Sequence, residues 1–260
     1  MDCIIAAGGR TSPEDSLYPY TQGGPKALIR MNGKTMLEMV AAACAGSCYV
    51  DGLIVAGLDE AEVAGLELPS LLTVLPDQGR LVANVKAGLQ WWLDQGRPGS
   101  ELLLTTGDIP LVTPAIVDAF VEQCRPFDRL VYYNLVTKET LDAKFPGSRR
   151  TFVRLRDAEV AGGDMLLVQR AVTESDESLW EALTDARKHA WRLSLLAGPL
   201  TLLRLLTHRL TVAQIEKVAS RVARAPVRVL LSPYAELAMD ADKANQVELL
   251  RRYLTVSRSG

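Results

Sequence analysis

CIIAAGGR, residues 3–10, runs from a block of apolar side chains into two glycines and an arginine. Uncharged apolar residues in an unbroken run read as a strand buried on both faces, and the glycine pair reads as the loop into which it opens. What that loop holds is the functional question. Three occupants are weighed: a dinucleotide, the phosphates of an NTP on a P-loop, or a nucleotide gripped in some other way. A dinucleotide fingerprint wants G-x-G-x-x-G leading straight into a helix, whereas Gly8-Gly9-Arg10 leads into a long loop rich in Pro, Ser and Tyr. The GKT at 33–35 imitates the end of a Walker A motif, but Leu28 stands where that motif needs its first glycine. Both are rejected.

Outward from the first strand, apolar runs alternate with helical patterns. Thr35 and Glu38 have capping-box spacing ahead of the stripe Leu37, Val40, Ala41 and Cys44. GLIVAG and LLTVL (71–75) read as strands, followed by a helix with Val82, Val85, Leu89 and Trp92 on one face. ELLLTT (101–106) is a buried strand, and Thr113-Pro114 starts another helix as N-cap and N1. This rhythm predicts a mixed, mostly parallel sheet with helices on both faces, a three-layer α/β/α Rossmann-like architecture. In the second half RLVYYNLV (129–136), TFVRLR (151–156), DMLLVQ (164–169) and VRVLLS read as strands, with helical patterns over 176–223 and beyond Asp242. No linker or repeat interrupts the chain, so one domain spanning 1–260, with a helical elaboration at about 176–223, is expected.

Composition narrows the partners. The chain has 260 residues, 48% of them hydrophobic, enough for a sizeable core. A net charge of −2 leaves no basic footprint for nucleic acid. Four cysteines are too few for a disulfide scaffold, and no second Cys/His pair joins Cys44 and Cys48 to form a metal site. The stretch at 193–210 is very apolar, but Gly198-Pro199, Arg204, His208 and Arg209 break it. It falls short of the roughly 20 apolar residues of a membrane span. It reads as a buried helix, a subunit contact in a homodimer, or a patch for a lipid-linked acceptor. A first strand beginning at residue 2 leaves no room for a signal peptide, so a cytoplasmic location is expected.

Three segments in order, IIAAGGR, GPKAL (24–28) and MNGKTMLEMV (31–40), resemble the opening of the MobA-like NTP transferases. That family includes molybdenum-cofactor guanylyltransferases and sugar-phosphate nucleotidyltransferases. LLLTTGDIPLVTP continues the resemblance with the G-D-x-P turn in which the family places a metal-binding aspartate, here Asp108. PDQGRLVANVKAGL (76–89) matches a glycine turn and helix near the base or ribose, and the Gly-Gly-Asp at 162–164 a segment on the acceptor side. ELAMDADKANQVELL (236–250) is similar to the family's closing D-x-D-x-P-E-D-L, without its proline. Arg10 directly after Gly9, and the long loop to Lys26, also depart from the usual pattern.

The resemblance implies a sheet of the nucleotide-diphospho-sugar transferase (GT-A) type. It implies a nucleotide held by Ala6, Ala7, Gly8, Gly9, Arg10, Lys26, Gly79, Asn84 and Asp108, with Arg80 a further contact. Lys26 and Asp108 would be catalytic, Mg²⁺ would sit on Asp108 and Asp240, and Asp164 would bond the acceptor. Elementary chemistry agrees. Glycines admit backbone amides close to phosphates, lysine supplies a point charge, and a carboxylate beyond a parallel strand can hold Mg²⁺. Arg10 reads equally as a phosphate contact or a solvated loop residue. Asp240 stands at the end of an ELAM strand and Asp242 is placed to cap the closing helix, although either could be the second ligand. The implied reaction moves an NMP unit from an NTP, CTP or GTP first, onto a small phosphorylated acceptor with release of pyrophosphate. A GT-A glycosyltransferase or a catalytically silent nucleotide-binding regulator are the alternatives.

Overall fold

The computed structural model describes residues 1–174 and 199–256. The strands are β1 Asp2–Ala6, β2 Arg30–Met31, β3 Lys34–Thr35, β4 Gly52–Ala56, β5 Leu71–Leu75, β6 Glu101–Thr106, β7 Val131–Thr137, β8 Val153–Arg154, β9 Glu159–Gln169 and β10 Val227–Ser232. The helices are α1 Tyr18–Thr21, α2 Met36–Ala45, α3 Glu60–Val63, α4 Leu81–Asp94, α5 Pro114–Gln123, α6 Lys138–Lys144, α7 Pro199–Leu206, α8 Val212–Val222 and α9 Ala244–Val256. Eight strands form one sheet in the order β10-β7-β9-β6-β1-β4-β5, with β8 paired to β9, while β2 and β3 make a separate hairpin. β1 lies parallel to β4 and β6, and β10 parallel to β7; β9 runs antiparallel to β6, β7 and β8. This is the mixed, mostly parallel α/β sheet expected.

Alternation along the central strands divides the core between two faces. Cys3, Ile5, Leu53, Val55 and Leu103 pack with residues of α2, α5 and α9 on one side. Ile4, Ile54, Leu102 and Leu104 pack with Leu89 and Trp92 of α4 and Val218 of α8 on the other. The Thr35–Glu38 and Thr211–Gln214 capping boxes both form.

Three sequence expectations need correcting. Of TFVRLR, only Val153 and Arg154 pair. β9 begins five residues before DMLLVQ because Gly162 and Gly163 let the strand pass under Tyr133 and Asn134, whose side chains a Cβ there would strike. Pairing slips between Tyr133 and Leu135, leaving residues 163–165 opposite Asn134 as a bulge. ELAM (236–239), expected as a strand, falls on a 3₁₀ turn, Ala235–Ala238, in which Leu237 N donates to Tyr234 O and Met239 N to Glu236 O, both at 3.3 Å. Part of the helical elaboration, 176–198, lies outside the described residues. Its remainder is α7 and α8, and no helix among the described residues is long and apolar enough to cross a membrane.

Candidate active site

The carboxyl ends of β1, β4, β5 and β6 lie on one edge of the sheet, and the loops leaving them are tied together. Ala7 N donates to Ala56 O at 2.8 Å, Gly57 N to Leu75 O at 2.8 Å, and Gly107 N to Ala6 O at 3.0 Å. Gly57 has φ +107° and lies so close to Gly8 that a side chain on it would meet the Gly8 backbone. A Cβ on Gly8 would stand 2.6 Å from both Asn84 Nδ2 and Asp77 Oδ1. Glycine is therefore the residue that fits at this crossing.

The long loop after Gly9 returns to it, with Lys26 N donating to Gly9 O at 2.9 Å. The Lys26 ammonium then faces two carboxylates, Asp108 Oδ2 at 2.7 Å and Asp242 Oδ1. The 239–242 segment is pinned to the turn after β6, with Ala241 N donating to Asp108 O at 3.1 Å. Oxygens of Asp108, Asp240 and Asp242 lie within 4.8 Å of one another. Asp108 is 4% exposed, and its Oδ1 is buried without a hydrogen-bond partner among the described residues. An unspent carboxylate oxygen costs free energy unless something positive meets it. These three carboxylates supply the hard oxygen donors that a divalent cation takes.

The charges tune one another. Burial alone would lower the Lys26 pKa, but the Asp108 and Asp242 carboxylates outweigh it and raise it above the ordinary lysine value. Burial likewise pushes Asp108 up, and the Lys26 ammonium overrides it, holding the carboxyl below its usual range.

The other sequence candidates take varied places. Asp240 is in the cluster and bonds Arg150 Nη1. Asp242 does not stand at the cap of α9. The first helical amides, Gln246 N and Val247 N, donate to Lys243 O, so Asp242 lies one residue earlier and turns to Lys26. Arg10 is partly exposed, with Nη2 donating to Glu62 at 2.9 and 3.1 Å. Asn84 is buried and spends its amide on the turn after β5, accepting from Gln78 N at 2.7 Å and donating to Asp77 at 2.9 Å. Gly79, with φ +78°, shapes that turn, and Arg80 is exposed at its end. Asp164 is buried beside the end of β6, its carbonyl accepting from Thr105 Oγ1 at 3.0 Å, and is not one of the three clustered carboxylates.

Sequence reasoning missed Arg150 and Asp77. Arg150 meets a carboxylate 90 positions away and belongs to no motif. Asp77 could have been found as the acidic residue two before Gly79 in a helix-leading turn.

Comparisons with known proteins identify the family and the fold. The sequence matches the MobA-like NTP transferase domain over residues 3–188. A hypothetical transferase from Thermus thermophilus is 30% identical, aligned over 95% of this chain and 98% of its own at TM-score 0.78. CMP:2-keto-3-deoxy-manno-octonic acid synthetase, solved with CTP, is 13% identical over 98% of both chains at TM-score 0.59. 4-Diphosphocytidyl-2C-methyl-D-erythritol synthase is 13% identical over 97% of both chains at TM-score 0.57. These last two share the fold. A comparison with curated proteins finds no match. With 3–188 of its 260 residues matched, the chain belongs to the MobA-like NTP transferase family.

Proposed function

We propose that the chain is a Mg²⁺-dependent nucleotidyltransferase, moving an NMP unit from CTP, or GTP as the second choice, to a small phosphorylated acceptor. The observation that carries this reading is the buried, unbonded Oδ1 of Asp108 among three carboxylates, with Lys26 alongside and the Gly8–Gly9 loop adjacent. CTP is placed first because the synthetase of the same fold was solved with it.

An acceptor phosphate oxygen attacks the α-phosphorus in line. The bond to the bridging β-phosphate oxygen breaks, pyrophosphate leaves, and a nucleoside-diphosphate conjugate remains. A phosphate monoester arrives already anionic near neutral pH, so no protein base is needed to remove a proton. The work left to the chain is positioning and charge neutralisation. Amides of the Gly8–Gly9 loop approach the nucleotide phosphates without side-chain obstruction, and Lys26 transfers its contact from carboxylate to phosphate oxygen. Asp108, with Asp240 and Asp242, would hold Mg²⁺, which supplies Lewis-acid stabilisation of charge on the phosphate oxygens.

The decisive assay mixes the protein with each of the four NTPs, Mg²⁺ and a panel of phosphorylated alcohols, and follows pyrophosphate. Release in one NTP–acceptor combination, abolished in Asp108→Asn, is the expected result. No pyrophosphate from any NTP would leave a nucleotide-binding regulator. Nucleoside diphosphate released from a nucleotide sugar would indicate a glycosyltransferase.

A further inference from the structure

We propose that Arg150 is exchanged between Asp240 and the acceptor's phosphate, with a divalent cation at Asp240 setting which of the two it holds. This rests on the reading under Proposed function. Among the described residues, Lys26 and Arg150 are cations that reach the carboxylate cluster, and they come from different halves of the sheet. Lys26 arrives on the loop after β1, tied to Gly9. Arg150 arrives on the loop between α6 and β8, beside the β7–β9 half. If the β1 side receives the nucleotide, the cation on the other side faces the second substrate.

The guanidinium is only partly used. Its Nη1 bonds Asp240, whereas Nε is buried and bonds nothing among the described residues, on a side chain 14% exposed. A guanidinium presents its donors as a planar fork, which matches two phosphate oxygens and leaves capacity unspent on one carboxylate oxygen. Asp240 cannot serve two partners equally. A divalent cation held by the same carboxylate would repel the guanidinium bonded to it. Charge counting points the same way: Asp108, Asp240 and Asp242 against Lys26 and Arg150 sum to −1. A 2+ ion makes the cluster net positive and releases a cation for an incoming anion. Arginine then becomes a positioning residue for the attacking phosphate, outside the cluster's own coordination.

The test uses Mn²⁺ alone, read by electron paramagnetic resonance, and inorganic phosphate titrated calorimetrically in the presence of Mg²⁺. In R150Q, Mn²⁺ should bind about fivefold tighter, because its competitor for Asp240 is gone. Phosphate should bind at least about tenfold more weakly, because a charge-assisted fork is lost. R150K keeps the charge and serves if R150Q does not fold; it should bind Mn²⁺ like the wild type but phosphate several-fold more weakly. Unchanged Mn²⁺ and phosphate affinities in R150Q, with only a lower Tm, would make Arg150 a structural brace and overturn the exchange. Wild-type protein that binds no Mn²⁺ would remove the metal reading itself and this inference with it. Mn²⁺ binding insensitive to R150Q removes this inference alone.

Discussion

Lys26 faces Asp108 and Asp242 across a partly buried site, and that geometry fixes the sign of a pH effect. In the wild type the ammonium keeps the Asp108 carboxyl below its ordinary pKa despite burial. Around the unfolded aspartate value of about 4 the unfolded chain therefore binds more protons, and Asp108's contribution to stability is lost as pH falls through that window. In Lys26→Met the ammonium is gone, while burial and the facing Asp242 carboxylate both remain and both raise Asp108. The folded chain then holds the extra proton, so the sign reverses. Urea midpoints measured in chelator should rise between about pH 7 and 5 in Lys26→Met and stay flat or fall in the wild type. A Lys26→Met midpoint that falls on acidification would show that the ammonium does not control this carboxylate. Lys26, Asp108 and Asp240 were legible as candidates because each sits in a short motif, P-K, G-D-x-P and D-x-D. The job of Asp242 was not. Capping and cluster membership need the same residue type at the same spacing, and one slipped residue, Lys243 in place of Asp242 at the head of α9, decides between them.

Elements were most legible where local chemistry alone decides them. The box ahead of α2 shows why. Thr35 N and Oγ1 donate to Glu38 Oε2 at 2.7 and 2.8 Å, and Glu38 N donates back to Thr35 Oγ1 at 3.2 Å, all within four residues. The same Glu38 also receives Glu67 N at 3.2 Å, which no local pattern announces. Thr35→Ala removes the cap and should cost about 1 kcal/mol, roughly 2–4 °C in Tm, with turnover retained. Gly8→Ala tests an element of the opposite kind, a loop crossing set by tertiary contact. Its methyl must displace Asn84 and Asp77, which order the turn after β5, so nucleotide affinity should fall more than tenfold, about 1.4 kcal/mol. Nucleotide titrations on both variants decide the pair: a Gly8→Ala that binds like the wild type would separate the β5 turn from the site. β9 and the 235–238 turn escaped the sequence reading for a related reason. Their backbone follows Tyr133, Asn134 and burial from all sides, and none of these is a neighbour in sequence.

The whole molecule separates stability from chemistry along the strand direction. At the amino end of β1, buried Asp2 accepts from Trp92 Nε1 at 3.0 Å and from Arg97 Nε and Nη2 at 2.8 and 2.9 Å. Every oxygen there has a partner supplied by the protein, and the staple locks α4 under the sheet. Beyond the carboxyl end of β6, Asp108 is as deeply buried, yet one oxygen has none among the described residues. The satisfied carboxylate is placed for folding, the unsatisfied one for a ligand. Exchanging their fates is the test. Asp2→Ala leaves an indole N–H and a guanidinium without their acceptor. It should cost about 3 kcal/mol, on the order of 8 °C in Tm, while the surviving folded protein keeps its turnover. Asp108→Asn keeps the shape and relieves repulsion with Asp242, to which Lys26 stays bonded. Its Tm in chelator should move by less than about 3 °C, and turnover should fall by at least about a thousandfold. Melting curves and pyrophosphate release on the two variants give four numbers. Loss of turnover in Asp2→Ala at a temperature where it remains folded would mean that the staple positions the opposite edge after all, and that the sheet transmits strain along β1 instead of insulating its two ends.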